Sequence, residues 1–516
     1  MRPRPLEEIA RACGGRIVRS AASPGGGQAL IGPTEPDARG LIGPDVVIDS
    51  RRATPGSLFV AFPGERVDGH DYVAAASAAG SAAAITQRQV EAPIPCVIVE
   101  DPQRALAALA RHVVATSPRL SVIGVTGSSG KTSTKDLIAQ VLATAGPTVA
   151  PVGSFNNEIG APLTATRCDD DTRFLVAEMG ARGQGHIAYL CSITPPTVAV
   201  VLNVGHAHLG EFGSRDAIAR AKGELVEAVG AGGWAILNGD DARVSAMASR
   251  TRARIARFAV DHRPSDGGDV EVWSTDAAGD DLDRWSFRLH ILDGSATPVA
   301  ATPPGGLPVR LQGSGAHQIA NALAAAAVAY VSGLAPDAVA TALAGAAPRS
   351  HWRMERLARP DGVLILNDSY NANPESMAAG LHSLARIGAA RRVDHPRART
   401  WALVGDMLEL GDTAVADHEA VGALAARLGI TDLVAIGEFA EAIVRGARQS
   451  AATGDARGTE GHAIRTTVVP DRFAMARAAA PLGPGDVVLV KASRGLGLDT
   501  VATDLAAVAD ETGDVA

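Results

Sequence analysis

Residues 121–143, SVIGVTGSSGKTSTKDLIAQVLA, set the reading of the chain. A short run rich in β-branched residues gives way to a Gly/Ser loop and then to a helical pattern from Thr132 to Ala145. Gly127 and Gly130 let the backbone curl so that successive N–H groups face a phosphate, with Ser128, Ser129 and Ser133 completing the cradle. Lys131 adds a positive charge, and Thr132 supplies the hydroxyl expected on Mg²⁺. The strict G-x-x-x-x-G-K-[ST] pattern asks for glycine at 125, where this chain has Val125. The loop is therefore a shortened G-x-x-G-K-[ST] form, whose bland alternative is a flexible Gly/Ser turn. Its place between a strand and a helix favours the phosphate.

Working outward, the apolar runs FLVAEMG and TVAVVLNVG are each followed by polar turns and helical segments. Continuous apolar strands alternating with helices predict a parallel sheet covered on both faces. Residues 258–312 break the rhythm with alternating, Gly- and Asp-rich sequence, read as a β-hairpin excursion. The helix HQIANALAAAAVAYVSG returns to the core. A second α/β unit begins near Pro348, with strands VLILND, TWALVGD, DLVAIG and VVLVKAS, and predicts a doubly wound, Rossmann-like domain. Before Leu120, VVIDSRR, LFVAFPG and a small-residue helix from His70 to Gly80 suggest a compact α/β unit. A Gly/Pro-rich stretch from Ala21 to Pro44 reads as a surface insertion. The expected fold is α/β in three domains, 1–117, 118–347 and 348–516, and residues 509–516 are expected to fray.

Bulk properties agree. At roughly 100–200 residues per domain, 516 residues predict about three domains. Hydrophobic residues make up 46% and charged residues 20%, enough to bury sizeable cores, and with only 3% aromatics those cores must be aliphatic. A formal charge of −8, a pI near 5.9 and the absence of a long Lys/Arg run argue against a nucleic-acid partner. Cys13, Cys96, Cys168 and Cys191 lie far apart with no C-x-x-C, so neither a disulfide framework nor a zinc site is expected. With no signal-type N-terminus and no long apolar run, the expectation is a soluble cytoplasmic protein with no membrane span.

In open parallel sheets, ligands bind at the carboxyl ends of strands. Glu178 ends FLVAEMG beside the loop and is well placed to hold Mg²⁺, against the plain reading of a solvated strand-end charge. His208 follows VVLNVG; His206 is two residues away, and chemistry alone does not choose between them. In the helix SRDAIARAKGELVEAVG, Lys222 is four after Ile218 and three before Leu225, on the apolar stripe. A lysine aimed inward needs a partner or a modification, unless its stem snorkels to solvent.

TGSSGKT, AEMG, the AHLG histidine and the AKGE lysine occur in an order that resembles the Mur ligase family, ATP-dependent enzymes of peptidoglycan precursor synthesis. SFNNEIGAPLT (Ser154–Thr164), NDSYNANPESM (Asn367–Met377) and VGDMLELG (Val404–Gly411) resemble the branch that joins D-alanyl-D-alanine to UDP-N-acetylmuramoyl-tripeptide. With GAHQIANALAAAA, HWRMER and KASRGLG, the likeness runs from about Asp49 to about Leu498. The segment DSRRATPGSLFVAFPGERVDGHDY resembles a uridine-binding domain, which implies Ser50 and Arg51 as substrate contacts.

The resemblance implies that ATP phosphorylates the tripeptide's terminal carboxylate and that the acceptor amine then displaces phosphate. It implies Lys131, Glu178, His208 and Lys222 as catalytic residues. Lys222 would be a CO₂-derived carbamate that, with Thr132, Glu178 and His208, orients Mg²⁺. His317 and Asn321 would lie near adenine, Arg353 at the phosphates and Asp368 at the ribose. Asn156, Asn157, Tyr370, Asn371, Asn373, Lys491, Ser493 and Arg494 would meet substrate. Asn373 before Pro374 is equally a good helix start. Ala492 stands where the family more often has glycine. The protein is expected to work as a monomer.

Three other readings compete. A diaminopimelate- or lysine-adding ligase of the same family would carry an acidic-substrate motif where this chain has DSYNANP. Folylpolyglutamate synthetase would lack the uridine-like first domain. A non-catalytic ATP-binding switch would lose at least one of Lys131, Glu178 and Lys222.

Overall fold

The computed structural model describes residues 1–19, 40–64, 67–207, 209–294, 302–452 and 464–507. The candidate ligand His208, most of the expected Ala21–Pro44 insertion and the expected frayed tail fall outside the described residues. Among the described residues the strands form three main sheets, with helices packed between and around them.

The largest sheet has nine strands. At its centre Ser121–Thr126 runs parallel to Phe174–Glu178 on one side and to Val198–Val201 on the other. Its side chains are almost entirely buried, which is why the sequence reads as an unbroken apolar run rather than as alternation. Glu178 is paired with Val125 and Val201 with Thr126. That register places the phosphate loop, the Glu178 carboxylate and the segment from Leu202 onward at one edge of the sheet.

The expected hairpin excursion in 258–312 is corrected. Val270–Gly279 and Arg284–Asp293 do form an antiparallel hairpin, but Val270–Gly279 joins the sheet in parallel with Arg254–Ala259, and Leu307–Ser314 adds a further edge strand. The alternating polarity that looked like a departure is that of strands with one wet face. The turn of this hairpin docks on the third lobe. Asp283, 1% exposed, accepts hydrogen bonds from Trp285 Nε1 (2.9 Å), Ser383 Oγ (2.7 Å) and Arg386 (3.2 Å). Arg386 also lies over the Trp285 ring, 4.6 Å from its centroid.

The helix His317–Val331 crosses beneath this sheet. Its run Ala324–Ala327 is fully buried, and small side chains let it lie close to the sheet and to the loop helix Lys131–Ala143.

The third lobe holds six strands, in the order 355–358, 364–367, 487–491, 400–405, 432–436 and 465–469, parallel except for the first. The four expected strands are there, flanked by two edge strands, Glu355–Ala358 and Arg465–Val469, that the sequence reading passed over. Helices Ala414–Arg427 and Ala440–Ala452 pack so closely that a Cβ on Gly422 would lie 1.8 Å from the Ile443 carbonyl oxygen. Gly422→Ala is therefore expected to overpack a backbone contact and destabilise the protein by about 1–3 kcal/mol. The fall in denaturation midpoint measures it, and an unchanged midpoint would refute the close approach.

The N-terminal part carries a five-stranded sheet, 16–18, 96–98, 83–86, 58–60 and 46–47, and a small ribbon pairing Arg4–Pro5 with Leu41–Ile42. All four cysteines are unpaired, and burial pushes the Cys13, Cys168 and Cys191 thiols up to about 12, which leaves them inert. No described helix is long and apolar enough to cross a membrane.

Candidate active site

A cleft of about 710 Å³ opens where the strand ends of the central sheet face the third lobe. The phosphate loop forms its floor. Gly130, at φ 79°, takes the left-handed turn that starts the helix Lys131–Ala143, and a Cβ there would lie 2.8 Å from Asn321 Oδ1. The first-turn N–H groups of that helix have no carbonyl one turn earlier to bond, and they open onto the cleft.

The loop differs from expectation in one respect. The N–H groups of Ser128 and Ser129 both donate to Asn203 Oδ1, at 2.9 Å each, rather than facing outward. Asn203, which follows the strand Val198–Val201, was absent from the sequence reading, where it passes for an ordinary turn residue.

Glu178 is 1% exposed and its carboxylate is held from three sides. Thr132 Oγ1 donates to Oε2 at 2.9 Å, while Ser154 Oγ and Asn156 Nδ2 donate to Oε1 at 2.8 Å each. Asn156 is thus a support for the carboxylate, and Ser154, unassigned from sequence, is another. Asn157 Oδ1 instead accepts from Gly160 N–H (2.8 Å) at the start of a short helix, while the residue still lines the cleft.

Lys131 Nζ donates to the Gly127 carbonyl at 2.7 Å. Burial lowers its pKa; Glu178 opposes that shift and Arg353 adds to it. Lys222 is 4% exposed, packed among Ile218, Leu225 and Val226, and lines the same cleft. It makes no hydrogen bond or ion pair among the described residues. Burial, and secondarily the charge of Lys131, hold its pKa well below the ordinary lysine value. The inward orientation expected from helical spacing is what the structure has.

The third lobe supplies the opposite wall. Asp368 accepts from Met354 N–H (3.1 Å) and pairs with the buried Lys491 (2.6 Å), so Lys491 is committed within the protein rather than free for substrate. Arg353 lies over Tyr370 and Arg494 over Trp352, each about 4 Å from the ring centroid (4.1 and 4.0 Å). Ser493 Oγ accepts from Leu408 N–H. Asn373 caps the helix Pro374–Asp394 in a capping box with Ser376, so its side chain serves the backbone; Asn371 lines the cleft and its carbonyl accepts from Lys491. Glu375, on that helix's first turn, accepts from both the N–H (2.9 Å) and Nδ1 (2.6 Å) of His206, joining the lobes.

His317 and Asn321 start the helix His317–Val331 one turn apart. Asn321 Oδ1 accepts from Thr134 Oγ1 (3.0 Å), supporting the loop helix. His317 Nδ1 is buried without a partner among the described residues, and burial lowers the ring's pKa. An unpartnered buried nitrogen costs about 1–3 kcal/mol unless something fills it. Ser50 and Arg51 are not part of this cleft: Ser50 is buried and Arg51 is exposed on the N-terminal part, where its pairing holds the Asp49 carboxyl down to about 2.

Chemically, the arrangement could hold a triphosphate with a divalent cation. The buried His317 nitrogen and the N–H groups of the helix's first turn are groups that a base and phosphates could pair with. Thr132 and Glu178 are oxygen donors of the kind Mg²⁺ prefers when phosphates and water complete its shell.

Known proteins resemble the chain along most of its length. Three family models match successive parts of the chain: Mur ligase family, catalytic domain over residues 45–114; Mur ligase middle domain over 125–329; and Mur ligase, glutamate ligase domain over 352–494. The UDP-N-acetylmuramoyl-tripeptide–D-alanyl-D-alanine ligase of Mycobacterium tuberculosis is 44% identical, covering 96% of this chain and 98% of that protein. The Escherichia coli ligase of the same name is 36% identical over 77% of this chain and 82% of its own length. Among solved structures, MurF from Acinetobacter baumannii superimposes with a TM-score of 0.77 at 29% identity, over 98% of this chain and 99% of that one. MurF from Thermotoga maritima in complex with ADP gives 0.70 at 28% identity, over 90% and 97%.

Proposed function

The chain belongs to the Mur ligase family, and on that footing we propose that it joins D-alanyl-D-alanine to UDP-N-acetylmuramoyl-tripeptide with ATP as the energy source, a step of peptidoglycan precursor synthesis. The observation that carries the reading is one cleft uniting Lys131, Glu178 and Lys222 of the central lobe with the Tyr370–Asn373 segment of the third. A non-catalytic switch would have no need of all three. The 44% identity, over 96% of the chain, to a UDP-N-acetylmuramoyl-tripeptide–D-alanyl-D-alanine ligase favours that acceptor over a single amino acid or a folate.

The γ-phosphoryl group passes from ATP to the tripeptide's terminal carboxylate, releasing ADP. The acceptor amine then attacks the acyl carbon, loses a proton, and phosphate departs as the amide forms. The barrier lies in bringing anions together, so charge neutralisation and positioning do most of the work. Lys131 and the first-turn N–H groups hold the phosphates. Glu178, fixed by Thr132, Ser154 and Asn156, together with Thr132 itself, is assigned to Mg²⁺, which when bound offsets phosphate charge. His208 is assigned with them. We assign Lys222 as a carbamate: its neutral amine adds CO₂ and releases a proton.

His317 faces the base, with Asn321 supporting the loop beside it. Arg353 reaches the phosphates and Asp368 the ribose. Asn157, Tyr370, Asn371, Ser493 and Arg494 border the peptide substrates, and Ser50 and Arg51 are assigned to uridine at the far end of the substrate. The three units are assigned to residues 1–117 for the UDP-substrate, 118–347 for ATP and 348–516 for the acceptor, in a monomer acting in the cytoplasm.

Phosphate release measured with each acceptor tests the assignment. D-alanyl-D-alanine should stimulate it far more than diaminopimelate, L-lysine or glutamate. Equal stimulation by a single amino acid would sink the reading.

A further inference from the structure

We infer that Asn203 is a positioning residue for the phosphate loop, imposing from outside a conformation that the shortened loop lacks the length to impose on itself. Val125 is still inside the strand, paired with Glu178 and Val200, so Gly127–Gly130 is all the chain between strand and helix. So short a loop has few groups with which to fold on itself.

Asn203 supplies the missing contacts. Its Oδ1 accepts from Ser128 and Ser129 N–H, its Nδ2 donates to the Ser129 carbonyl at 3.2 Å, and its own carbonyl accepts from Ser128 N–H at 3.1 Å. Gly205 N–H donates to Ser128 Oγ at 2.9 Å. The approach is tight, since a Cβ on Gly127 would lie 2.9 Å from Leu202 Cβ. Asn203 is itself braced, with Leu202 N–H bonded to the Thr126 carbonyl (3.0 Å) and Asn238 Nδ2 to the Leu202 carbonyl (2.8 Å).

This division of labour decides which donors remain. Ser128 and Ser129 N–H are spent inside the protein, leaving Gly130 and the helix's first turn for the phosphate. It also explains an amide in place of a carboxylate. A neutral oxygen satisfies two N–H groups without setting a negative charge against the triphosphate.

The inference rests on nucleotide binding at this loop, so the test uses ADP with Mg²⁺ and no peptide substrate. In full-length protein, Asn203→Ala removes three side-chain hydrogen bonds to the loop and should raise the ADP dissociation constant by about 10- to 100-fold. The KM for D-alanyl-D-alanine should stay within about 2-fold of wild type, because no hydrogen bond to the acceptor wall is lost. Asn203→Asp keeps an acceptor for the Ser128 and Ser129 N–H groups but replaces the Nδ2 donor to the Ser129 carbonyl with a charged oxygen, and should also weaken ADP binding. Residue-resolved hydrogen exchange on the unaltered enzyme reads the same point without a variant. Ser128 and Ser129 should be protected before ADP is added, and Gly130 to Thr132 only after. Unchanged ADP affinity in Asn203→Ala, or Ser128 and Ser129 gaining protection only with ADP, would overturn the inference and leave the nucleotide site standing. Wild-type protein that bound no ADP would overturn both.

Discussion

Lys131→Ala should lower turnover by about 10²-fold or more while leaving the fold intact. The side chain reaches back to the Gly127 carbonyl and faces the cleft rather than a hydrophobic core, so its removal empties no packed volume. What is lost is a cation beside the transferring phosphoryl group. Burial already lowers the pKa of this lysine, and Glu178 holds the charged form in place; bound triphosphate would favour that form further. Single-turnover phosphate release, with circular dichroism as the control for folding, measures the effect. Near-normal turnover would show that the loop is not the ATP site.

Lys222→Ala should abolish most activity and regain part of it in acetate or another small carboxylic acid that can occupy the vacated space. Burial, and secondarily the charge of Lys131 in the same cleft, lower the pKa of Lys222. Carbamylation would turn the repulsion of the pair into an attraction and supply oxygen ligands suited to Mg²⁺. The reaction needs the free amine, which a lowered pKa makes available at lower pH. Recovery of wild-type activity by bicarbonate after CO₂ depletion should therefore improve as pH rises, levelling off once the depressed pKa is passed. Lys222→Arg should stay inactive, because the missing group is an anion. An unmodified Lys222 in a fully active, nucleotide- and metal-bound crystal would refute the modification.

The same lysine shows what a sequence can and cannot disclose. Its burial was legible because a helix converts spacing into direction: Ile218, Lys222 and Leu225 had to share a face. The phosphate loop was legible for a similar reason, being local, with glycines at fixed offsets. Asn203 was not, since its partners lie 74 and 75 residues away and only strand register brings them together. Glu375 was hidden likewise, bonded to His206 across 169 residues. The edge strands of the central sheet were misread as an excursion because half-wet strands look unlike the buried ones beside them. Asn373 was readable either as a ligand contact or as a cap, and the structure shows the cap while keeping the residue in the cleft lining.

One helix carries a consequence for how the cleft opens. Pro374–Asp394 is pinned along its length by Ser383 and Arg386 to Asp283, while its first turn holds His206 through Glu375. Eight residues separate Glu375 from Ser383, about 12 Å of rise. The helix is a lever with its fulcrum at Asp283. A swing of roughly 10° about that point carries Glu375 through about 2 Å, enough to part it from a ring nitrogen 2.6 Å away. The fulcrum also belongs to the nucleotide's side of the cleft, since the Asp283 carbonyl accepts from Gly315 N–H, two residues before His317. A small rotation there would open the cleft at Glu375 while leaving its His317 end almost still.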